Sequence, residues 1–581
     1  MEPRTVGTSG MAGARRPGVW ARVALIAALA APGGRLAAQA ADSARLVRAA
    51  HDAQRDFEET RRSHLRWTRG GDGGHCDERI GRFCYWHGDM PDSAPPESPV
   101  IERARRRLLA VLDSASRAAP ADGWIAGQRV RYELEAGAPD SAFIQLASCG
   151  AAPWWCDALR GLALHAGGHY ARAETADDRA LAEMPDTLRC RWIDLSPLLE
   201  GRAAGRYAHA GCDERPVLNA RLWWLAQPFL ALPANDRRTE QFARRTMVEI
   251  ARHSVWPVTA SWGDDVAELM LRYGWPRWFE RVEPESQIDP SYSIMGHDPQ
   301  PSFAFFPDGR LLDSVYSARP GDWDLHAARA ASRYAPAYAE SIEAARVLLS
   351  RFARGDSTLV VAAYDASRDT LLHARGLRAA LAVAPDERQR FVRWDSSAAP
   401  TGVLSVIAPR LDALVDMDLF DDRSHAAARD REALRALTGG GGARLSDLLL
   451  FRPADGTPET LDAAMPLALP SADIAGRDPL GVYWELYGPR SVGVGLEVSL
   501  TVERVGASWW QRARRVLRIG RGDTPIALHW RDVARPRDGV VGRSVVVDLS
   551  HVDGGTYRIR LQVQPDGEPA QVAEREVVVR R

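Results

Sequence analysis

Apolar residues recur at helical spacing through four stretches, Ile101–Arg117, Trp124–Glu135, Cys156–His165 and Tyr170–Glu183, separated by Pro120, Pro139, Pro153 and the Gly167-Gly168 pair. A period of three to four with breakers between the runs predicts short helices joined by tight turns, and hence stacked antiparallel pairs. The pattern continues over residues 216–280. Trp223, Trp224, Leu225 and Phe229 share one expected helix, and Phe242, Met247 and Ile250 share the next, with Asn235 or Asp236 placed to cap it. A third run, Asp264–Tyr273, stops at Gly274 with Pro276 beyond it. One more helix is expected from about Pro336 to Phe352.

Beyond that point the period falls to two. Thr358–Tyr364, Leu377–Val383, Val403–Ile407 and Leu414–Leu419 are short β-rich runs parted by Pro385, Pro400 and Pro409, which predicts a small sandwich. After a linker at Gly439–Gly442 come Leu448–Phe451, Val482–Tyr487, Leu496–Val502, Ile526–Trp530, Ser544–Leu549, Thr556–Val563 and Gln571–Val579. Thr556–Val563 alternates polar with apolar behind Gly554-Gly555, as a half-buried antiparallel strand does. The expected fold is multidomain α + β: an N-terminal α-helical, repeat-like region, then one or two C-terminal immunoglobulin-like β-sandwich domains.

Gly161, Gly168, Tyr170, Ala173, Ala180 and Pro185 fall where a tetratricopeptide repeat (TPR) places its small contact residues, its aromatic, its alanines and its closing proline, so this stretch resembles a TPR unit. Asp157, Arg160 and Asp177 depart from the repeat's apolar positions. Trp223-Trp224-Leu225-Ala226, Asn235-Asp236-Arg237-Arg238, Trp262-Gly263-Asp264-Asp265 and Arg272-Tyr273-Gly274-Trp275-Pro276, followed by Leu445-Ser446-Asp447-Leu448, resemble the GWxTD-domain group of exported bacterial proteins. Ser261–Asp265 keeps the tryptophan and the final aspartate of that group's naming motif. The resemblance implies an architecture and an exported location, and it brings no reaction with it. The expected division is a signal peptide at 1–40, a disulfide-stapled TPR-like helical domain at 41–215, a Trp/Pro-rich helical block with GWxTD-like motifs at 216–354, a small β-sandwich at 355–438 and an Ig-like β-sandwich at 443–581.

Composition narrows the chemistry. Arg15, Arg16 and Arg22, the apolar run Val23–Ala31 and Ala38-Gln39-Ala40 have the form of an export signal cut after Ala40. The apolar run is too short to span a bilayer, so no transmembrane anchor is expected. All 75 basic residues are arginine. Without lysine there is no Schiff base, P-loop lysine, kinase strand lysine or serine-lysine dyad. H-E-x-x-H, C-x-x-C and a G-x-S-x-G after the signal are absent too. The first 40 residues hold five Arg and one Glu, so cleavage moves the net charge from −1 to −5, and no basic run offers a nucleic-acid footprint.

All six cysteines, Cys76, Cys84, Cys149, Cys156, Cys190 and Cys212, lie in one stretch, and an oxidising compartment lets them pair, most simply in sequence order. The rival arrangement is a zinc site of His75, Cys76, Cys84 and His87, set back by its adjacent ligands and by oxidation. No metal and no cofactor is expected. Trp256, Trp262, Trp275 and Trp278 cluster beside the proline-rich stretch Pro284–Pro307, where they pack helices or grip a sugar or peptide, and Asp264 and Asp265 open the adjacent helix. A second acidic group, Asp416, Asp418, Asp421 and Asp422, is expected as a solvated turn, since it lacks the glycine and terminal glutamate of a calcium loop. No catalytic residue is assigned. The expected function is an exported, non-enzymatic protein-interaction or scaffold protein of the bacterial cell envelope with a protein or peptide partner. The alternative is a cell-wall or polysaccharide-active hydrolase, or a carbohydrate-binding protein, using the Trp-rich block.

Overall fold

The computed structural model describes residues 31–68, 76–87, 94–258, 260–283, 292–372, 376–437, 443–454, 456–476, 478–488, 493–505 and 526–581. Helices come first: α1 (Ala31–His64), α2 (Pro99–Ala118), α3 (Gly123–Glu135), α4 (Pro139–Gln145), α5 (Pro153–Ala166), α6 (Tyr170–Glu183), α7 (Asp186–Trp192), α8 (Gly201–Ala208), α9 (Arg215–Ala226), α10 (Asp236–Arg252) and α11 (Asp264–Tyr273). Their ends follow local chemistry. Prolines open α2, α4, α5 and α9, where the missing N–H is harmless, and the side chains of Ser98, Asp122 and Asn235 accept from the first free amides of α2, α3 and α10. The expected cleavage point falls inside α1. Residues 1–30, which carry the rest of the expected signal, lie outside the described residues, as does the linker Gly439–Gly442.

Two antiparallel sheets then face each other. One runs Phe391–Asp395, Leu377–Ala384, Ala413–Asp421, Ala426–Leu434, Ser341–Ala344, and the other Thr401–Pro409, Ser357–Asp365, Arg346–Arg354. Only the Ser341–Ala344 edge pairs parallel. Leu349, Val360, Tyr364, Leu381, Val415 and Met417 fill the space between them. A second pair follows. Leu480–Tyr487 is the hub of one sheet and the order Asp473–Ala475, Gln571–Arg580, Gly555–Pro565, Gly495–Arg504, Ile526–Val533 makes the other, around Val482, Trp484, Leu500, Ile559 and Leu561. The helix-then-sheet layout expected from the pattern is therefore present.

The expected helix at Pro336–Phe352 is not. Its place is taken by the strands Ser341–Ala344 and Arg346–Arg354, and the second forms a hairpin with Ser357–Asp365 that runs through the expected boundary at 354/355. Leu348 belongs to the core of the second sandwich and Leu349 to that of the first, so both faces of this strand are covered. A strand buried on both faces has no alternation, and its apolar run cannot be told from a helix by period.

The cysteines pair as Cys76–Cys84, Cys149–Cys156 and Cys190–Cys212, with Cα separations of 5.5–6.0 Å. The first bond removes both thiolates from the rival zinc set, and His75 lies outside the described residues. Three disulfides are compatible with an exported protein. No helix among the described residues is long and apolar enough to cross a membrane.

Candidate functional site

Helices α6, α7, α9 and α10 on one side and the turn at 384–390 of the first sandwich on the other enclose a cleft of about 920 Å³. That is toward the upper end of the roughly 300–1,000 Å³ usual for ligand sites. Trp192 from α7 and Trp223 and Trp224 from α9 line it, facing Gln241 and Phe242 of α10. The coil between α9 and α10 supplies Gln227, Leu230, Pro233, Ala234 and Asn235. Helix α9 ends before this coil because Gln227 precedes Pro228, which forces it to an extended backbone (φ −59°, ψ 127°). Phe229, expected in that helix, is consequently in the coil. Asn235 then starts α10 and ties it to α9: its Oδ1 accepts from Arg238 N at 3.0 Å while its Nδ2 donates to Trp223 O at 2.6 Å.

The coil is irregular backbone in a buried place, so its polar groups need partners from elsewhere. The first sandwich supplies them. Asp416 and Asp418 alternate on one face of Ala413–Asp421, and accept from Leu230 N and Ala231 N at 3.0 Å each. Opposite them in register stand Arg431 and Arg429. Arg431 binds Asp416 at 2.5 Å and Leu225 O at 3.1 Å, Arg429 donates to Pro228 O, and Arg390 reaches Leu232 O and Pro233 O at 2.6 and 2.7 Å. The two aspartates are 0% exposed, which corrects the expected solvated turn. A buried carboxylate survives where an arginine and backbone amides meet it, and the Asp-x-Asp facing Arg-x-Arg across a hairpin is the sequence signal for it. Burial and its neighbour Asp416 hold the Asp418 carboxyl well above the usual range. Asp421 instead accepts from the turn amides of Arg423 and Ser424, and Asp422 pairs with Arg378 at the surface.

Three polar atoms of cleft-lining side chains, each closed off from solvent, have no hydrogen-bond partner among the described residues: Trp224 Nε1, Asn219 Oδ1 and Gln241 Nε2. All three side chains belong to residues more than nine-tenths buried. Asn219 already donates its nitrogen to Ile193 O at 2.7 Å, and Gln241 accepts from Arg237 at 3.3 Å. An unmet buried donor or acceptor costs about 1–3 kcal/mol. Charge is unevenly spread. On the helical wall Glu174, Asp178, Asp186 and Asp213 outnumber Arg189 and Arg238, whereas the turn balances Asp386 and Glu387 with Arg388 and Arg390. Arg238 serves both Asp178 and Glu174, and burial lifts the Glu174 carboxyl above its usual range. The lining among the described residues holds no serine, threonine or histidine, and Cys212 is bonded to Cys190.

The residues singled out from sequence lie elsewhere. Trp256 meets Trp262 and Phe279 edge-on at 5.9 and 5.8 Å, and together with Trp275 the two tryptophans pack half-buried against the helical core. Trp278 stacks on His297 at 4.7 Å. Asp265 is gripped by Arg82 through Nε and Nη2 at 2.7 and 2.8 Å, which holds its carboxyl well below the usual range, and Asp264 is exposed at the start of α11. None of these residues lines the cleft. Sequence reasoning also missed a buried chain in which Thr239 Oγ1 lies 2.8 Å from His165 Nδ1 and His165 Nε2 lies 2.8 Å from Glu240. It resembles a nucleophile, base and orienting acid. Thr239 is only 1% exposed, however, and Glu240 also binds Arg244 at 2.6 Å, so the chain ties α5 to α10.

No family model matches the chain, and no curated protein matches it. Among solved structures it is similar to red sea bream transglutaminase, at 15% identity over 41% of this chain and 31% of that one, with a TM-score of 0.14. It is also similar to a calcium-binding mutant of Bacteroides uniformis beta-glucuronidase 2, at 9% identity over 38% of this chain and 26% of that one, with a TM-score of 0.14. The chain thus spans less than a third of either.

Proposed function

We propose that this is an exported, non-enzymatic interaction protein of the bacterial cell envelope, which holds a segment of a partner in the cleft between its helices and its first sandwich. The observation that carries it is the cleft itself, about 920 Å³ in volume and walled by three tryptophans. In this proposal the helices are TPR-like and the sheets immunoglobulin-like. The α5–α6 pair supports the first: a Cβ on Gly161 would come within 2.0 Å of Asp177 Oδ1, so glycine permits the close helix approach, with Ala173, Ala176 and Ala180 buried alongside. Arginine pairing of Glu174, Asp178 and Asp186, and a lining that among the described residues holds no side-chain hydroxyl or imidazole, favour binding over turnover.

Ala220 is an exposed cleft residue on α9, so Ala220→Trp fills the space without disturbing the core. Wild type and this variant, matched in melting temperature, are to be screened against a random peptide library and a glycan array. Peptides retained by wild type and released by the variant are expected. Failure of every peptide, or equal retention by both proteins, would overturn the proposal.

A further inference from the structure

An uncovered edge strand invites pairing with another chain, and proteins blunt such edges by shortness, charge or cover. Most edges of the two sandwiches are blunted. Phe391–Asp395 carries Arg393 and Asp395, Ile526–Val533 carries Arg531 and Asp532, and Val540–Val547 carries Arg543. Arg444–Leu445, Ser341–Ala344, Leu449–Phe451 and Asp473–Ala475 have two to four residues each. Arg346–Arg354 is covered, since Asp447 N donates to Arg351 O at 3.1 Å and Arg575 to Leu349 O at 2.8 Å. Thr401–Pro409 has none of these devices. It runs nine residues without a charge, and among the described residues it pairs with Ser357–Asp365 alone.

Leu404, Val406 and Ala408 of this strand face the first core, which turns Val403, Ser405 and Ile407 outward. Ile407, opposite Leu359 in register, is 60% exposed, and Leu411 just beyond the strand is 54% exposed. We infer that Thr401–Pro409 is where two copies of this chain join, antiparallel about a two-fold axis at Ser405, so that their three-stranded sheets become one of six. Full overlap of the strand with itself sets Thr401 against Pro409 and Ser405 against Ser405. Ile407 then lies opposite Val403 of the second copy, a β-branched pair on the outer face. A second copy fits because no like charges meet, and the edge holds no charge with which to select a charged segment of another protein.

Sedimentation of the full chain at up to about 0.1 mM tests this, since a small interface of this kind associates weakly. A dimer is expected. Ser405→Lys and Ser405→Glu each set like charges opposite one another on the axis and should weaken it at least about tenfold, whereas an equimolar mixture of the two variants should recover association. That recovery also shows that both variants fold. Ala527→Lys, at an exposed position of the Ile526–Val533 edge, and Ala220→Trp in the cleft should leave the dimer unchanged. A monomeric wild type would overturn the inference and leave the edge to a strand of another protein. A dimer untouched by either charge at Ser405, no recovery in the mixture, or dissociation by Ala527→Lys would overturn it as well.

Discussion

Among the described residues the molecule has two junctions built with arginine, and one of them opens into the cleft of about 920 Å³. Between the sandwiches, ion pairs between side chains dominate, although Arg575 also donates to Leu349 O. Arg351 grips Asp447 through two bonds of 2.7 and 2.8 Å, Arg354 grips Glu485 at 2.6 and 3.1 Å, and Phe352, Val361, Leu449, Phe451 and Tyr483 close the remaining space. Between the helices and the first sandwich, arginine meets backbone. Arg390, Arg429 and Arg431 hold carbonyls of the coil that follows α9, and Asp416 and Asp418 hold its amides. A segment anchored through its main chain keeps its side chains free for the other side, where Gln227, Leu230, Pro233 and Asn235 line the cleft. A junction that interdigitates side chains closes, and one that clamps a backbone can stay open.

The largest test of that contrast removes one member of an arginine–aspartate pair from each junction. Arg431→Met leaves Asp416 buried without its guanidinium and should cost about 3–5 kcal/mol in urea unfolding. Peptide binding in the cleft should go with it. Asp447→Asn keeps the shape of the second junction and part of its hydrogen bonding, at a cost of about 1–2 kcal/mol, with cleft binding unchanged. Equal losses in the two variants, or a cleft that still binds in Arg431→Met, would end the comparison.

A smaller effect is expected from the cross-link beside the open junction. Cys190–Cys212 spans 22 residues from α7 to the residues before α9, and Cys212 lines the cleft. Replacing both cysteines by serine should cost about 3 kcal/mol on chain-entropy grounds and also weaken peptide binding. The same change at Cys149 and Cys156, separated by 7 residues and away from the cleft, should lower the melting temperature alone. If the two pairs affect binding alike, the bond near the cleft has no special part in shaping it.

What could be read beforehand follows from the range of the interactions involved. Asn235 as a cap, Gly274 as a stop and the alternation of Thr556–Val563 are local signals, and α10, α11 and the strand Gly555–Pro565 follow them. Arg346–Arg354 was illegible because its second covered face belongs to a domain that begins about a hundred residues later, as the bond from Arg351 to Asp447 across 96 positions shows. Asp416 and Asp418 looked solvated for the same reason: their amide donors lie 186 and 187 residues away. The cleft draws on four helices, a coil and a turn separated by more than 200 positions, so no window of sequence contains it. The tryptophans that do line it carry the same local pattern as those that fill the helical core.

The smallest expected effect concerns a carboxyl at the edge of the open junction. Asp236 begins α10 next to cleft-lining Asn235, is 1% exposed, and accepts from the Tyr338 hydroxyl at 2.9 Å. Burial pushes its pKa from 3.8 up to about 6, against the opposing pull of Tyr338, Tyr334 and His165. The folded state therefore binds this proton more tightly than the unfolded chain. Its contribution to stability is complete below pH 3.8, declines as pH rises through about 6, and is gone above that. A shift of about two pH units corresponds to ~3 kcal/mol at most, less whatever the unfolded chain retains. Asp236→Asn keeps the shape and cannot ionise, so its stability relative to wild type should climb between pH 3.8 and about 6 and level off beyond. Urea midpoints measured for both proteins across that window give the difference directly, with titrating groups remote from Asp236 cancelling. A flat difference would mean that burial does not hold the proton on Asp236 in the folded protein.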